Sequence, residues 1–346
     1  MFKIKNKKMN ILIHVRSNED LKNYIKMTEN NNFDDNIKYS HEVKAMIEEF
    51  YNHNWGVYLT TIENFKNGIW HEIYSVNEQK QYDLNSNDMN EKIDFMIIRN
   101  LGSVEGNFKM ISEYLDYIIN NYKGIALNNP KAMKKGMIKN YLIDLNKDEL
   151  ERIGMHIIDT KIFDKSVSYQ DILIEYQELD NYLIKPTTGE LSNSLKCLKD
   201  IDENFLRYKE DKVGGWIIQP IKKEIWHGEY QMVFIGDELT YAQKKIYPIN
   251  ATSNIPNQSN RIIEKYNPTN KELEIGLNLI KYFTKLYKID IDICRIDFMK
   301  DNNNEPILIE FEMVNPGFFI GYMQENDQSI KNIVQKIRNY CEEYQK

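Results

Sequence analysis

The sequence predicts a mixed chain, α/β plus α+β, with an N-terminal α/β lobe followed by two α+β lobes. Three observations carry that reading. Short apolar runs alternate with helical-period segments over residues 1–130, as a small and mostly parallel α/β lobe requires. Strand-length apolar runs separated by a polar loop and a helix fill the middle. The last part holds two pairs of consecutive strand patterns around one helix, the mark of an antiparallel sheet.

In chain order, Asn10 to Val15 reads as the first strand, and Val43, Met46, Ile47 and Phe50 recur at helical spacing. Gly56 to Thr60 is a second strand. Ile93 to Ile98 is a third, apolar throughout as in a strand covered on both faces. Ile111, Leu115, Ile118 and Ile119 form another helical face, and Asn128-Asn129-Pro130 turns the chain. The middle section offers strands at His156 to Phe163, Tyr182 to Pro186 and Trp216 to Ile221. Tyr230 to Ile235 and Leu239 to Lys244 are joined by Gly236-Asp237-Glu238, a hairpin signal. Leu273, Leu277 and Ile280 give one side of a helix. Asp292 to Met299 and Ile307 to Glu312 flank the turn-forming run Asp301-Asn302-Asn303-Asn304, and Ile330, Ile333, Val334, Ile337 and Cys341 mark a closing helix.

Composition narrows the function classes. Hydrophobic residues make up 42% and charged residues 28% of 346, an ordinary globular balance, so disorder is not expected. The net charge of −7 and the lack of a basic stripe argue against a nucleic-acid partner. Cys197, Cys294 and Cys341 have neither zinc-ligand spacing nor an even number for disulfides, which points to reduced thiols and a cytoplasmic protein. The basic start is followed only by Ile11-Leu12-Ile13 before His14, too short for a signal or a membrane span.

The segment Cys294-Arg295-Ile296-Asp297-Phe298-Met299 and its successor Ile307-Leu308-Ile309-Glu310-Phe311-Glu312 hold the densest charge pattern. Residues two apart in a strand share a face, so Arg295 joins Asp297 and Glu310 joins Glu312. If the strands pair, three carboxylates and a guanidinium converge, at a cost unless a cation neutralises them. Hard oxygen ligands suit Mg2+ held together with phosphates, and Arg295 suits a transferring phosphoryl group. A solvated hairpin edge fits the same pattern. Lys185 ends an apolar strand before a loop of hydroxyls, Thr187-Thr188-Gly189-Glu190-Leu191-Ser192-Asn193-Ser194, and this can cradle phosphates or simply turn the chain. In Trp216-Ile217-Ile218-Gln219-Pro220-Ile221 an apolar strand runs into a polar hinge that can meet an adenine edge. Glu229 beyond it can accept from ribose hydroxyls, while an internal strand and a loop Glu read equally well.

Taken in order over residues 93 to 320, these pieces resemble the ATP-grasp superfamily, in its glutathione-synthetase-like and ribosomal-protein-glutamate-ligase-like branch. Ile98-Arg99, Asn129-Pro130 and Lys139-Asn140-Tyr141-Leu142 look like the entry to its central lobe. The resemblance implies the ATP-grasp fold, with an N-terminal lobe over 1–130, a central lobe over 131–222 and a C-terminal lobe with the metal site over 223–346, the last two sandwiching the nucleotide. It implies ATP and Mg2+ as cofactors. Lys139 and Lys185 match the nucleotide lysines, Gln219, Pro220 and Ile221 the adenine hinge, and Glu229 the ribose acid. Asp297, Glu310 and Glu312 match the metal ligands, Arg295 the phosphate-facing Arg, and Lys244 or Lys245 the basic residue closing a hairpin; Arg295 and Lys245 are assigned to catalysis. Three features depart from the family. The phosphate loop has only Gly189, Glu312 stands where Asn is frequent with Asn315 close behind, and the N-terminal lobe carries no substrate signature.

The implied chemistry is activation of a carboxylate as an acyl phosphate, followed by attack of an amine or thiol, with a small molecule or a peptide as substrate. A kinase acting on a hydroxyl, or a nucleotide-binding module without catalysis, uses the same motifs. Arg16 and Arg99 follow the first and third strands, where a parallel sheet binds ligands. As a pair, with Asn315, they are assigned to the substrate carboxylate. No membrane association is expected, and homo-oligomerisation is left open.

Overall fold

The computed structural model describes residues 8–30, 40–188, 195–208, 214–248, 255–256, 261–318 and 328–344. It divides into two units, one of residues 1–102, 109–133 and 314–346 and one of residues 103–108 and 134–313. The closing helix Gln328–Glu343 thus belongs with the first unit, although the sequence reading put it in the last lobe.

In the first unit, strands β1 (Asn10–His14), β2 (Gly56–Thr60), β3 (Phe65–Lys66), β4 (Ile69–Ser75), β5 (Lys80–Asn85), β6 (Phe95–Ile97) and β7 (Ile125–Leu127) make one sheet. Its order is β3-β4-β2-β1-β6-β7, with β5 also on β4. The β2-β1-β6-β7 part is parallel, and its central strand is fully buried from Ile11 to Ile13, as a sheet covered on both faces demands. Val43, Met46, Ile47 and Phe50 of helix Ser40–Asn52 are buried as their spacing predicts. That helix packs on Gln328–Glu343, where Arg338 Nε meets Glu49 at 2.9 Å. The antiparallel extension β3-β4-β5 is an addition that the periodicity reading missed.

In the second unit, β8 (His156–Ile157), β9 (Lys161–Phe163), β10 (Tyr182–Pro186), β11 (Lys196–Cys197), β12 (Trp216–Pro220), β13 (Glu229–Ile235), β14 (Glu238–Ile246), β15 (Ile262–Lys265), β16 (Ile293–Lys300) and β17 (Pro306–Glu312) form two sheets. The orders are β11-β10-β12-β9 and β15-β14-β13-β16-β17-β8. The run His156 to Phe163, expected as one strand, is two. The chain changes sheets there: Leu308 pairs with Ile157, and Trp216, Ile217 and Ile218 pair with β9. Gly236-Asp237 closes a two-residue hairpin, with Ile235 opposite Glu238 and Gly236 at φ 57°, a left-handed value that suits glycine. Helix Asn270–Tyr287 begins at a Thr269 capping box and buries Ile275, Leu279, Ile280 and Phe283. Leu273 and Leu277, expected on the buried side, are only half-buried. The face is rotated because Gly276 lies against Phe234 and Met232, where any side chain would collide. No helix among the described residues is long and apolar enough to cross a membrane.

One buried polar chain in the first unit has a defined proton pattern. The carbonyl of Ile97 can only accept from His14 Nδ1 (3.0 Å), so Nδ1 carries the proton. His14 Nε2 then accepts from the Tyr114 hydroxyl, whose oxygen accepts from Trp70 Nε1 at 3.0 Å. Burial holds the imidazole neutral and pulls its pKa from 6.5 to about 4, against the Ile97 bond. The folded chain therefore refuses a proton that the unfolded chain takes below about pH 6.5, and stability falls with pH until about 4. Between pH 7 and pH 5 this single group costs about 2 kcal/mol. Urea unfolding at the two pH values is expected to show that much more loss for the native chain than for His14→Gln; equal losses would remove His14 from the account.

Candidate functional site

The six-stranded sheet carries a transverse row of polar side chains, and strand alternation puts them there. Glu229 and Gln231 share a face of β13, as do Gln243 and Lys245 of β14, Arg295 and Asp297 of β16, and Glu310 and Glu312 of β17. The register then sets Glu229 opposite Lys245, Gln231 between Gln243 and Asp297, Asp297 opposite Glu310, and Arg295 opposite Glu312. Between these positions Tyr230, Met232, Ile296, Phe298 and Phe311 turn to the other face and are buried.

Hydrogen bonds link the row across β14, β13 and β16. Gln243 Nε2 donates to Gln231 Oε1 at 2.7 Å, and Gln231 Nε2 donates to Asp297 Oδ2 at 2.8 Å and Glu229 Oε1 at 2.9 Å. Arg295 grips Asp297 with two bonds, Nε to Oδ1 at 2.6 Å and Nη2 to Oδ2 at 2.8 Å. Lys245 Nζ lies 2.7 Å from Glu229 Oε1, and the Tyr247 hydroxyl donates to Glu229 Oε2.

The four-stranded sheet contributes lysines. Lys185 sits near the end of β10, and the next residues tie in a second lysine: the Lys139 N–H donates to the Thr187 carbonyl at 2.9 Å. Lys139 Nζ then reaches Glu310 Oε1 at 3.0 Å, so one residue joins the end of β10 to β17. Lys185 makes no ion pair among the described residues. Burial pulls its pKa from 10.5 to about 8, and the charge of Lys139 adds to the shift. For Glu310 burial acts upward, but Lys139, Lys185 and Arg295 outweigh it and hold the carboxylate below its usual range. Glu229 is likewise lowered by Lys245 and Tyr247 despite burial. Asp297 goes the other way: burial, with Glu229 nearby, raises it in spite of Arg295.

These residues fit a polyphosphate and a hard divalent cation. A half-buried ammonium that pairs with no carboxylate is held at the end of β10 beside a second lysine, and the buried Thr188 hydroxyl oxygen has no hydrogen-bond partner among the described residues. Glu310, which Lys139 Nζ meets at 3.0 Å, and Glu312 on the same face of β17 supply hard oxygens beside those cations. Among the described residues no three His, Cys, Asp or Glu are already gathered as a metal cage, because Arg295 and Lys139 stand against Asp297 and Glu310. The loop residues Gly189 to Ser194 lie outside the described residues.

Other expected site residues have less open surroundings. Gln219 is buried and donates to Thr160 Oγ1 at 2.8 Å, Pro220 ends β12, and the Ile221 N–H donates to the Asn181 carbonyl at 2.7 Å. Glu229 is buried among Lys245, Gln231 and Tyr247 rather than open at a strand mouth, because β13 begins one residue earlier than its apolar run. In the first unit Arg16 is exposed after β1. Arg99 is buried: Nε pairs with Glu42 at 2.6 Å, Nη1 donates to the Pro316 carbonyl at 3.0 Å, and the guanidinium lies 3.8 Å from the Phe318 ring centre. Helix Ser40–Asn52 supplies that counter-ion, so the Arg99 guanidinium is committed within its own unit. Asn315 Nδ2 donates to the Gly102 carbonyl at 3.3 Å. Gln231, Gln243 and Tyr247 were not foreseen; the period-two polar positions in β13 and β14 are the signal that finds them.

Solved structures match nearly the whole chain. D-cycloserine synthetase DcsG aligns at a TM-score of 0.63 and 13% identity, covering 96% of this chain and 99% of that one. The macrocyclase MdnC from Microcystis aeruginosa MRC, solved with precursor peptide MdnA, gives 0.57 and 12%, covering 96% and 100%. A RiPP-associated ATP-grasp ligase from Chryseobacterium gregarium, solved with ADP and a leader and core peptide, gives 0.57 and 13%, covering 96% and 97%. The chain has the ATP-grasp fold. No family model matches the sequence, and no curated protein matches it. The four-stranded and six-stranded sheets both lie in the second unit.

Lys185 gives the site a pH signature. Its protonated form attracts an anion, and with a pKa of about 8 in the ligand-free protein that form is lost as pH rises. Affinity for ADP is therefore expected to fall by up to about tenfold per pH unit above pH 8. Lys185→Ala should weaken binding by about 1–3 kcal/mol at pH 7 and flatten this slope. Calorimetry at several pH values decides the matter, and an unchanged slope would assign the titration elsewhere.

Proposed function

We propose that the protein is an ATP-dependent, ADP-forming ligase that joins a carboxylate to an amine through an acyl phosphate. The observation that carries this reading is the convergence of Lys139, Lys185 and Arg295 with Asp297, Glu310 and Glu312 within one unit of an ATP-grasp fold. Lys139 and Lys185 bind and orient the phosphates of ATP, and Gln219, Pro220 and Ile221 line the adenine edge. Glu310 and Glu312, with Asp297 behind them, hold Mg2+, which when bound supplies charge neutralisation at the phosphate oxygens. Arg295 is fixed by its two bonds to Asp297, so its guanidinium is held in place and its charge needs little reorganisation as negative charge develops. Lys245 and Glu229 keep the adjoining stretch of the sheet neutral as a pair.

The names of the structural neighbours, a synthetase, a macrocyclase and a ligase, support ligase activity in general, on a small molecule in one case and precursor peptides in others. No nucleophilic side chain is called for, because positioning and electrostatics suffice for phosphoryl transfer. Arg16, together with Asn315, is the remaining candidate on the acceptor side. Arg99 would have to leave Glu42 to take part.

Release of phosphate from ATP, measured against a panel of amino acids and dipeptides with mass detection, is expected to reveal a C–N bonded product. A stable phosphorylated product would instead identify a kinase. The double variant Glu310→Gln, Glu312→Gln should retain its circular dichroism spectrum and lose at least about 100-fold in turnover. Near-native turnover of that variant in magnesium would sink the metal assignment.

A further inference from the structure

The carboxylates of β17 need a backbone that stays in place, and the sheet does not supply one on its outer side. β8 pairs with β17 only at Ile307 and Leu308. Past that point, where Glu310 and Glu312 project, no strand of the described residues covers the edge away from β16. A buried N–H left unpaired there would be costly, and the strand would be free to shift its register locally.

The residue that fills the gap is Tyr141. The Phe311 N–H, between the two glutamates, donates to the Tyr141 hydroxyl oxygen at 3.0 Å. The tyrosine ring is almost completely buried and packs edge-on against Phe283 at 5.8 Å, while Phe283 stacks on Phe311 at 4.0 Å and 5°. Two residues earlier, Lys139 Nζ holds the Glu310 carboxylate itself. The segment Lys139-Asn140-Tyr141 therefore grips β17 twice, once at a side chain and once at the backbone between the two side chains.

We propose that Tyr141 is a positioning residue for the metal-binding carboxylates, its hydroxyl standing in for the missing strand and fixing where Glu310 and Glu312 project. This rests on the ligase reading for the identity of the ligand. The hydroxyl acts through the Phe311 peptide, from whose N–H it accepts. Loss of such a supporting contact reduces metal affinity by roughly 10-fold to 100-fold.

Tyr141→Phe removes the oxygen and leaves the ring that packs on Phe283. Three measurements on the full chain test the role. In the presence of ADP, the Mn2+ dissociation constant from spin-resonance titration should rise roughly 10-fold in the variant. Amide exchange in the peptide containing Phe311 should become faster. The magnesium concentration for half-maximal turnover should rise while kcat at saturating magnesium stays within about twofold. An unchanged Mn2+ constant, or unchanged exchange at Phe311, would overturn the positioning role while leaving the ligase reading in place. A native chain that takes up no Mn2+ with ADP would overturn the ligase reading, and this inference with it.

Discussion

Lys139 is the residue on which the second unit turns. Its N–H is bonded to the carbonyl of Thr187 at the end of β10, and its ammonium meets Glu310 in β17. One residue thus fixes the distance between a lysine-bearing sheet and a carboxylate-bearing sheet. Removing one member of the Lys139–Glu310 ion pair would take a partner from a half-buried charge, and a buried charge that loses its partner is far costlier than one never placed there. The pair is therefore better read as a spacing device than as a source of stability.

The polar row across β14, β13, β16 and β17 poses the opposite problem, since a sheet face this charged gains nothing from burial. It is tolerated because each member answers its neighbour. Gln231 donates to two carboxylates, and its oxygen accepts from Gln243. Arg295 satisfies Asp297 from within the same strand. The opposite face carries the cohesion: Phe234 and Met232 meet Gly276 of helix Asn270–Tyr287, and Phe311 stacks on Phe283. A strand can serve both purposes because its side chains alternate, and the two faces never compete for the same residues.

That alternation also explains how much of the site is legible in the sequence. The shared face of Arg295 and Asp297, and of Glu310 and Glu312, follows from a period of two, and the hairpin pairing follows from Asp301 to Asn304. The parallel core strands were legible as apolar runs. The extension β3-β4-β5 was also within reach: Asn67-Gly68, both at positive φ, closes Lys66 against Ile69 as a two-residue hairpin, and its dipeptide is a strong turn signal. What no pattern could give was partnership across distance. Arg99 sits at a strand end, where an anion would be expected, yet Glu42, 57 residues earlier, claims it. Tyr141 reads as one more apolar helix residue until Phe311 is seen against its hydroxyl.

Charge balance gives the site its final constraint. Lys139, Lys185, Arg295 and Lys245 stand among Glu229, Asp297, Glu310 and Glu312, so cations and carboxylates cancel, and the chain as a whole carries −7. A polyphosphate approaching such a set meets no net attraction, only local attraction near Lys185, which has no ion-pair partner among the described residues. Each further negative charge brought into a half-buried space is opposed by Glu310 and Glu312 at close range. A divalent cation bound with the phosphates would reverse that sign, and under the proposed function Glu310 and Glu312 are the residues that would hold it. Under the proposed ligase reading, the acidic half of the row would couple nucleotide binding to metal, while Lys185 in the basic half would supply the local attraction for the phosphates.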